Sequence, residues 1–307
     1  MLLNVAADGY YLFNTCRHEH NYRMATEEDV HRNKIMESFE DKMMLLSSSS
    51  SDCVHNHVWI RKYCFTDVPR KKRVFNLHAL HVHPSIKKQG TVLIVIHGTA
   101  STSASFSNCF GHLLPHFSEI WALDLPGFGR STVQPSDDII KNSSEAKSME
   151  IFVASLEALV ETQNLSASKL VLMGHSFGTY VASHFALKHP DLVQQLVLVA
   201  PIGLLPTLSS KGFYWAFFFR ELLPTVCNMA AATENDYWSH VLSNHGNSWG
   251  NRPEAGVGSF VSLSVLHGTS IWNNPVAHML SESRIPVACV FAGMQYFDAL
   301  SKFETQK

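Results

Sequence analysis

The pentapeptide Gly174-His175-Ser176-Phe177-Gly178 constrains this chain more than any other segment. The apolar run Leu170-Val171-Leu172-Met173 precedes it. Thr179 to Lys188 follows as a helix and stops before Pro190. A strand, a G-x-S-x-G turn and a helix, in that order, make a nucleophile elbow. So tight a turn admits only small residues around the serine, and Gly174 and Gly178 supply them. The turn lifts the Ser176 hydroxyl above the sheet and lets the Phe177 N–H point at a developing oxyanion. A chance match in a loop is the competing explanation, and the flanking strand and helix argue against it.

The chain has 307 residues, 46% of them hydrophobic and 16% charged, enough for a sizeable core and against global disorder. A formal net charge of -2 gives no case for nucleic-acid binding. The cysteines Cys16, Cys53, Cys64, Cys109, Cys227 and Cys289 form no C-x-x-C pair, so neither a disulfide framework nor a zinc site is expected. That usage fits a reducing compartment and a cytoplasmic location. The 18 histidines are dispersed without H-E-x-x-H or similar ligand spacing, and no metal and no cofactor is implied. The first residues carry no signal-peptide pattern, and no stretch approaches the ~20 apolar residues of a membrane span.

The pattern along the chain divides it into four parts. Residues 1–55 read as a flexible N-terminal extension, with a short polar helix from Thr26 to Leu46 and a Ser47–Ser51 linker. Residues 56–203 alternate strand-like runs with helical ones, beginning at Val58–Cys64 and Val74–Val82. Arg70-Lys71-Lys72-Arg73 between those two reads as a solvated hairpin turn. Thr91–Ile96 is a continuous β-branched run, as in a strand buried on both faces. Ser105–Phe117 reads as a helix, Glu119–Leu123 as a strand and Lys147–Gln163 as a helix; Val193–Ala200 is a strand beyond the elbow. Residues 204–283 break the rhythm and read as an inserted helical lid, with the aromatic run Phe213-Tyr214-Trp215-Ala216-Phe217-Phe218-Phe219. Residues 284–307 resume the core with the strand Pro286–Ala292. The implied fold class is α/β, a mostly parallel sheet with helices on both faces.

Two further loops carry chemistry. His97-Gly98-Thr99-Ala100 follows the buried strand and offers N–H groups to the same oxyanion as Phe177, with Thr99 the first choice and Ala100 the next. His97 and Gly98 support that loop. Asp124-Leu125-Pro126-Gly127-Phe128-Gly129-Arg130-Ser131 follows the next strand. Asp124 reads as a brace for this loop, because a triad acid follows the nucleophile in this pattern and does not precede it.

Together His97-Gly98, Asp124 to Ser131, Gly174 to Gly178 and Leu198-Val199-Ala200-Pro201 resemble the α/β-hydrolase fold superfamily, AB hydrolase-1 type. The likeness is greatest to its lipid-metabolising abhydrolase branch. That branch includes lysophospholipid and N-acyl-phospholipid lipases and acyltransferases of the comparative-gene-identification-58 type. The resemblance implies a serine hydrolase or acyltransferase acting on an acyl-ester or lipid substrate, through Ser176 with Phe177 and Thr99 as oxyanion donors. An apolar lid implies peripheral contact with membranes or lipid droplets; packing of its aromatics on the core is the other reading.

The triad acid of this superfamily follows a late strand. Asp298, in Gly293-Met294-Gln295-Tyr296-Phe297-Asp298, is the best candidate, against a plain surface aspartate. The usual general base is missing: the last histidine is His278, ahead of Asp298. His97 and His175 are poor substitutes. The expectation is a C-terminally truncated form lacking the final strand and helix, or else a pseudoenzyme that binds lipid or a lipase partner. Epoxide or haloalkane hydrolysis would need an aspartate nucleophile, which Ser176 argues against.

Overall fold

The computed structural model describes residues 34, 36–38, 40–42, 44, 53–65, 72–86, 88–99, 101–126, 128–133, 145–167, 169–204 and 275–291. One sheet of eight strands organises them. The strands are β1 (Cys53–Phe65), β2 (Lys72–Pro84), β3 (Val92–Ile96), β4 (Glu119–Leu123), β5 (Thr132–Val133), β6 (Leu170–His175), β7 (Val193–Val199) and β8 (Val287–Val290). Their order is β1-β2-β4-β3-β6-β7-β8, with the short β5 paired to β2. β1, β2 and β4 pair antiparallel, and from β4 through β8 all pairing is parallel.

Helices cover both faces, as the alternating pattern requires. α1 comprises the helical residues between 34 and 44; α2 is Ser107–Leu113, α3 Glu145–Thr162, α4 Phe177–Lys188 and α5 Ala277–Glu282. Side chains alternate across a strand, so β3 feeds two cores. Ile94 and Ile96 join Phe152, Leu156, Tyr180, Val181 and Phe185 of α3 and α4 on one face. Leu93 and Val95 join Met36, Met44, Phe110 and Leu114 on the other. All five residues of β3 are buried, which is why its sequence is continuously apolar.

Several boundaries differ from the sequence reading, each for a local reason. β1 starts at Cys53, ahead of residue 56. Residues of the expected extension are packed in place: Met36 is 1% exposed and Met44 3%. The isolated pattern there looked polar because only a narrow stripe of α1 touches the sheet. Lys72 and Arg73 belong to β2, paired with Phe65 and Cys64, and not to a turn. The helix expected over Ser105–Phe117 is segmented, with 3-10 turns Ser103–Phe106 and Leu114–His116 flanking α2. Pro115 sits in the second turn, where Phe117 N–H closes on Leu114 O at 3.3 Å.

Beyond β7 the main chain is pinned from both sides of residues 205–274. Val276 N–H donates to Gly203 O at 2.9 Å and Ala277 N–H to Leu204 O at 3.2 Å. The chain therefore departs from the core and rejoins it at one place. The expected lid aromatics and Asp298 lie outside the described residues. Among the described residues no helix is long and apolar enough to cross a membrane.

Candidate active site

β6 delivers the chain to Ser176, and α4 takes it away from Phe177. Ser176 itself has φ 50° and ψ -117°. A non-glycine residue held at positive φ costs on the order of 1–3 kcal/mol and survives only where its surroundings impose it. The surroundings do so here. Ser176 N–H donates to Val199 O of β7 at 3.0 Å. Ser176 O accepts the Thr179 N–H at 3.0 Å and the Thr179 hydroxyl at 2.6 Å. The same hydroxyl oxygen accepts the Ile202 N–H at 3.2 Å. Thr179 thus clasps the turn to the loop after β7. The Ser176 side chain makes no capping bond to α4, so its hydroxyl is not consumed by the helix.

The glycines act by absence of volume. A Cβ on Gly178 would strike Ile96 O and would lie 2.6 Å from His97 O. The first turn of α4 therefore rests directly on the main chain leaving β3. A Cβ on Gly174 would in the same way strike Gly178 O, so the two glycines face each other across the turn. Gly98 meets the nucleophile itself: a Cβ there would lie 2.9 Å from Ser176 Cβ and 3.1 Å from His175 O. The loop after β3 thus runs alongside Ser176, with Thr99 one residue further on and half-buried. Ala100, the alternative donor, lies outside the described residues. Phe177 heads α4, where the first N–H groups have no intrahelical acceptor. Its ring is fully buried and stands edge-on to Phe152 at 5.1 Å, which anchors the first turn of α4.

His97 is a strut. It is fully buried, with Nδ1 2.7 Å from Gly98 O and Nε2 accepting the Leu125 N–H at 2.9 Å. Because a backbone N–H can only donate, Nε2 holds the lone pair and Nδ1 carries the hydrogen. Burial keeps the ring's pKa below the usual histidine value. Both nitrogens are committed to main chain, so the ring ties the oxyanion loop to the loop after β4. His175 is half-buried, and burial lowers its pKa as well.

Asp124 organises that second loop, as its position ahead of the nucleophile suggested. It is fully buried and accepts from Ser103 N–H at 2.6 Å, Arg130 N–H at 3.0 Å and His78 Nδ1 at 2.8 Å. Burial alone would raise its pKa; the bond and charge of His78 and the Arg130 N–H win, and the carboxyl sits well below the usual range. Ser131 adds a second tie, donating its hydroxyl to Asp124 O at 2.6 Å and accepting His78 N–H at 2.9 Å.

The structure thus brings Ser176, Phe177, Gly98, Thr99, His97, Gly174 and Gly178 into one neighbourhood at the C-terminal edge of the parallel strands. Sequence reasoning missed a second cluster, around His57, His78, Arg130 and Glu40. The alternate histidines His55 and His57 of β1 mark one side of it in the sequence, but nothing there links them to Glu40, His78 or Arg130.

Comparison with known proteins gives a consistent result. The profile of a family described as alpha/beta hydrolase fold matches residues 91–281, more than half of the chain. A 1-acylglycerol-3-phosphate O-acyltransferase from Arabidopsis thaliana is 36% identical over 134 residues, 44% of this chain and 30% of that protein. A human protein of the same name is 35% identical over 114 residues, 37% of this chain and 30% of that protein. The chain matches about a third of the length of these curated relatives. Among solved structures, a probable hydrolytic enzyme from Pseudomonas aeruginosa superposes with a TM-score of 0.52 at 21% identity, covering 82% of this chain and 79% of that one. A bacterial membrane phospholipase A superposes with a TM-score of 0.52 at 16% identity, covering 85% and 76%. At such identities the superpositions establish the fold alone.

Proposed function

Because this chain belongs to the alpha/beta hydrolase fold family, we propose that Ser176 is the nucleophile of an acyl-transfer reaction on an acyl-ester, lipid-like substrate. The observation that carries the reading is the strained turn at Ser176, φ 50°, with the Gly98 main chain directly beside it. In this reading the Ser176 Oγ attacks the acyl carbonyl and its proton passes to a base. The carbonyl oxygen gains charge and is held by the N–H groups of Phe177 and Thr99; one such donor is worth ~3 kcal/mol in the transition state. Collapse of the intermediate expels the alcohol and leaves an acyl-serine. Water then releases a fatty acid, or an acceptor hydroxyl takes the acyl group.

The names of the acyltransferase relatives support a lipid acyl substrate, and the superposed phospholipase shares only the fold. Asp298 is proposed as the triad acid, the residue that would orient a histidine base. Neither nitrogen of His97 is free for that work, and no histidine follows Asp298 in the sequence. The lid segment is proposed to receive acyl chains and to touch membranes or lipid droplets. A non-catalytic binder of acyl ligands or of a lipase partner is the second reading, favoured by the full commitment of His97 to main chain.

The test is fluorophosphonate labelling and acyl-ester turnover by the 307-residue chain and by Ser176→Ala. Label on Ser176 alone, lost in the variant, is expected. Acyl-ester turnover should likewise be lost in Ser176→Ala. Label on another residue, or turnover that survives Ser176→Ala, overturns the assignment. A chain that neither labels nor turns over but binds acyl ligands supports the second reading.

A further inference from the structure

At the antiparallel end of the sheet, away from Ser176, three side chains from three elements converge on one point. They are Glu40 of α1, His57 of β1 and His78 of β2, whose ligand atoms all lie within 4.8 Å of one another. Glu40 and His78 are fully buried. His78 Nδ1 lies 2.8 Å from Asp124 Oδ2, and His57 Nε2 lies 3.1 Å from Asp41 Oδ1. An ionised carboxylate only accepts, so each ring spends its hydrogen on its own carboxylate. The remaining nitrogens, His57 Nδ1 and His78 Nε2, then present lone pairs to each other at 2.9 Å. Glu40 Oε2 stands 3.6 Å from His57 Nδ1.

Two lone pairs facing each other repel unless something positive lies between them. Arg130 Nη1 occupies that place, 3.0 Å from His57 Nδ1, 3.2 Å from His78 Nε2 and 3.2 Å from Glu40 Oε2. The fit is incomplete. Nη1 carries two hydrogens for three acceptors. Arg130 Nε and Glu40 Oε1 are buried without a hydrogen-bond partner. Glu37 and Glu40 share the one guanidinium.

Proteins prepare metal-binding histidines in the way seen here, by giving the far ring N–H of each to a carboxylate. Two imidazoles and one carboxylate suit zinc-class ions and leave a fourth position open. We propose that Glu40, His57 and His78 form a binding site for a divalent transition-metal ion of the zinc class, reached when the Arg130 head group turns outward. The outward anchors exist already. Arg130 Nη2 donates to Glu37 Oε2 at 2.6 Å, Glu37 is 46% exposed, and the guanidinium lies 5.1 Å from the centre of the Trp59 ring. A bound ion fastens α1 to β1 and β2. The ligands come from three distant segments, so no spacing in the sequence announces them.

Cobalt(II) titration of the full chain reads the site directly through its visible ligand-field bands. The expected result is one tightly bound equivalent with tetrahedral bands. Affinity should fall at least ~10-fold in Glu40→Gln and His78→Gln, and also in Asp41→Asn, which removes the carboxylate behind His57. Affinity should hold in His55→Gln. It should rise at least ~10-fold in Arg130→Met, which removes the competing cation. Far-UV circular dichroism checks each fold. If a ligand variant does not fold, X-ray absorption of the cobalt-loaded unaltered chain replaces it, with two imidazoles in the first shell expected and one or none overturning the proposal. Absence of stoichiometric binding by the unaltered chain overturns it, and so does binding confined to Arg130→Met. Binding lost in His55→Gln but kept in Glu40→Gln places the ion on the outer group of Asp41, His55 and His57, and overturns it as well.

Discussion

Replacing Gly178 by alanine adds one methyl group at the point where α4 rests on β3. The atoms it meets are all main chain: Ile96 O nearest, His97 O at 2.6 Å and Ile96 C at 2.8 Å. Real Cβ atoms essentially never approach closer than 3.0 Å. No side chain can rotate away, so the first turn of α4 must lift from the sheet by several tenths of an ångström. Overpacking that side chains can absorb costs about 1–3 kcal/mol. Here two backbones must part, so the loss expected is about 3 kcal/mol or more. The lift carries Ser176 and Phe177 with it, and labelling of Ser176 should fall together with stability. Urea unfolding followed by tryptophan fluorescence gives the stability change. Gly90→Ala is the control, since its Cβ would lie 3.6 Å from the nearest atom, Ser118 Cβ, in ordinary contact. That variant should stay within about 0.5 kcal/mol of the parent. A Gly178→Ala protein within 1 kcal/mol of the parent, on the scale of overpacking costs, would refute the claim that helix and strand are in main-chain contact there.

Other outcomes follow from the same geometry. Asp124→Asn turns an NH2 group toward at least one of the donors of Ser103, Arg130 and His78; a buried donor left unmatched costs about 1–3 kcal/mol. Calorimetry should show this loss at neutral pH and less of it below about pH 4, where Asp124 in the unfolded chain takes up its proton. Thr179→Val keeps the shape but removes the acceptor of the Ile202 N–H; a loss of about 1–2 kcal/mol in denaturant titration is expected, and no loss would show that the clasp is idle. His184 is held neutral by burial down to about pH 4, with Nε2 unpartnered. The unfolded chain protonates this ring from about pH 6.5, so stability falls as pH drops from there to about 4, by about 3 kcal/mol for this group. His184→Leu should remove about one proton from the uptake on unfolding over that window, measured by stability against pH, and an unchanged slope would contradict the assignment.

What was legible in the sequence is what repeats locally. The elbow pentapeptide, the β-branched run at β3 and the helical spacing of α3 each imply their element without reference to the rest of the chain. Asp124 was also readable, because its place ahead of the serine assigns it to a loop. The burial of Met36 and Met44 was not readable, since a polar helix shows its use only when the sheet it covers is known. His97 was readable as support for its own loop, but its tie to Leu125 was not, since that bond goes to a main-chain N–H and main chain carries no sequence signal. The Glu40–His57–His78 convergence failed for the same reason at longer range, because strand pairing and helix docking create it.

The turn at Ser176 borrows its shape from distant segments, and this gives the reactive group a place in time. Its N–H is held by Val199, its helix rests on Ile96, and Thr179 is bonded to Ile202. None of these restraints exists until β3, β6 and β7 have paired, so the hydroxyl is presented only after the slow, long-range part of folding is complete. A covalent probe of Ser176 therefore works as a clock for the parallel sheet. During refolding, the appearance of reactive serine should lag the recovery of helical signal and coincide with burial of the β3 core.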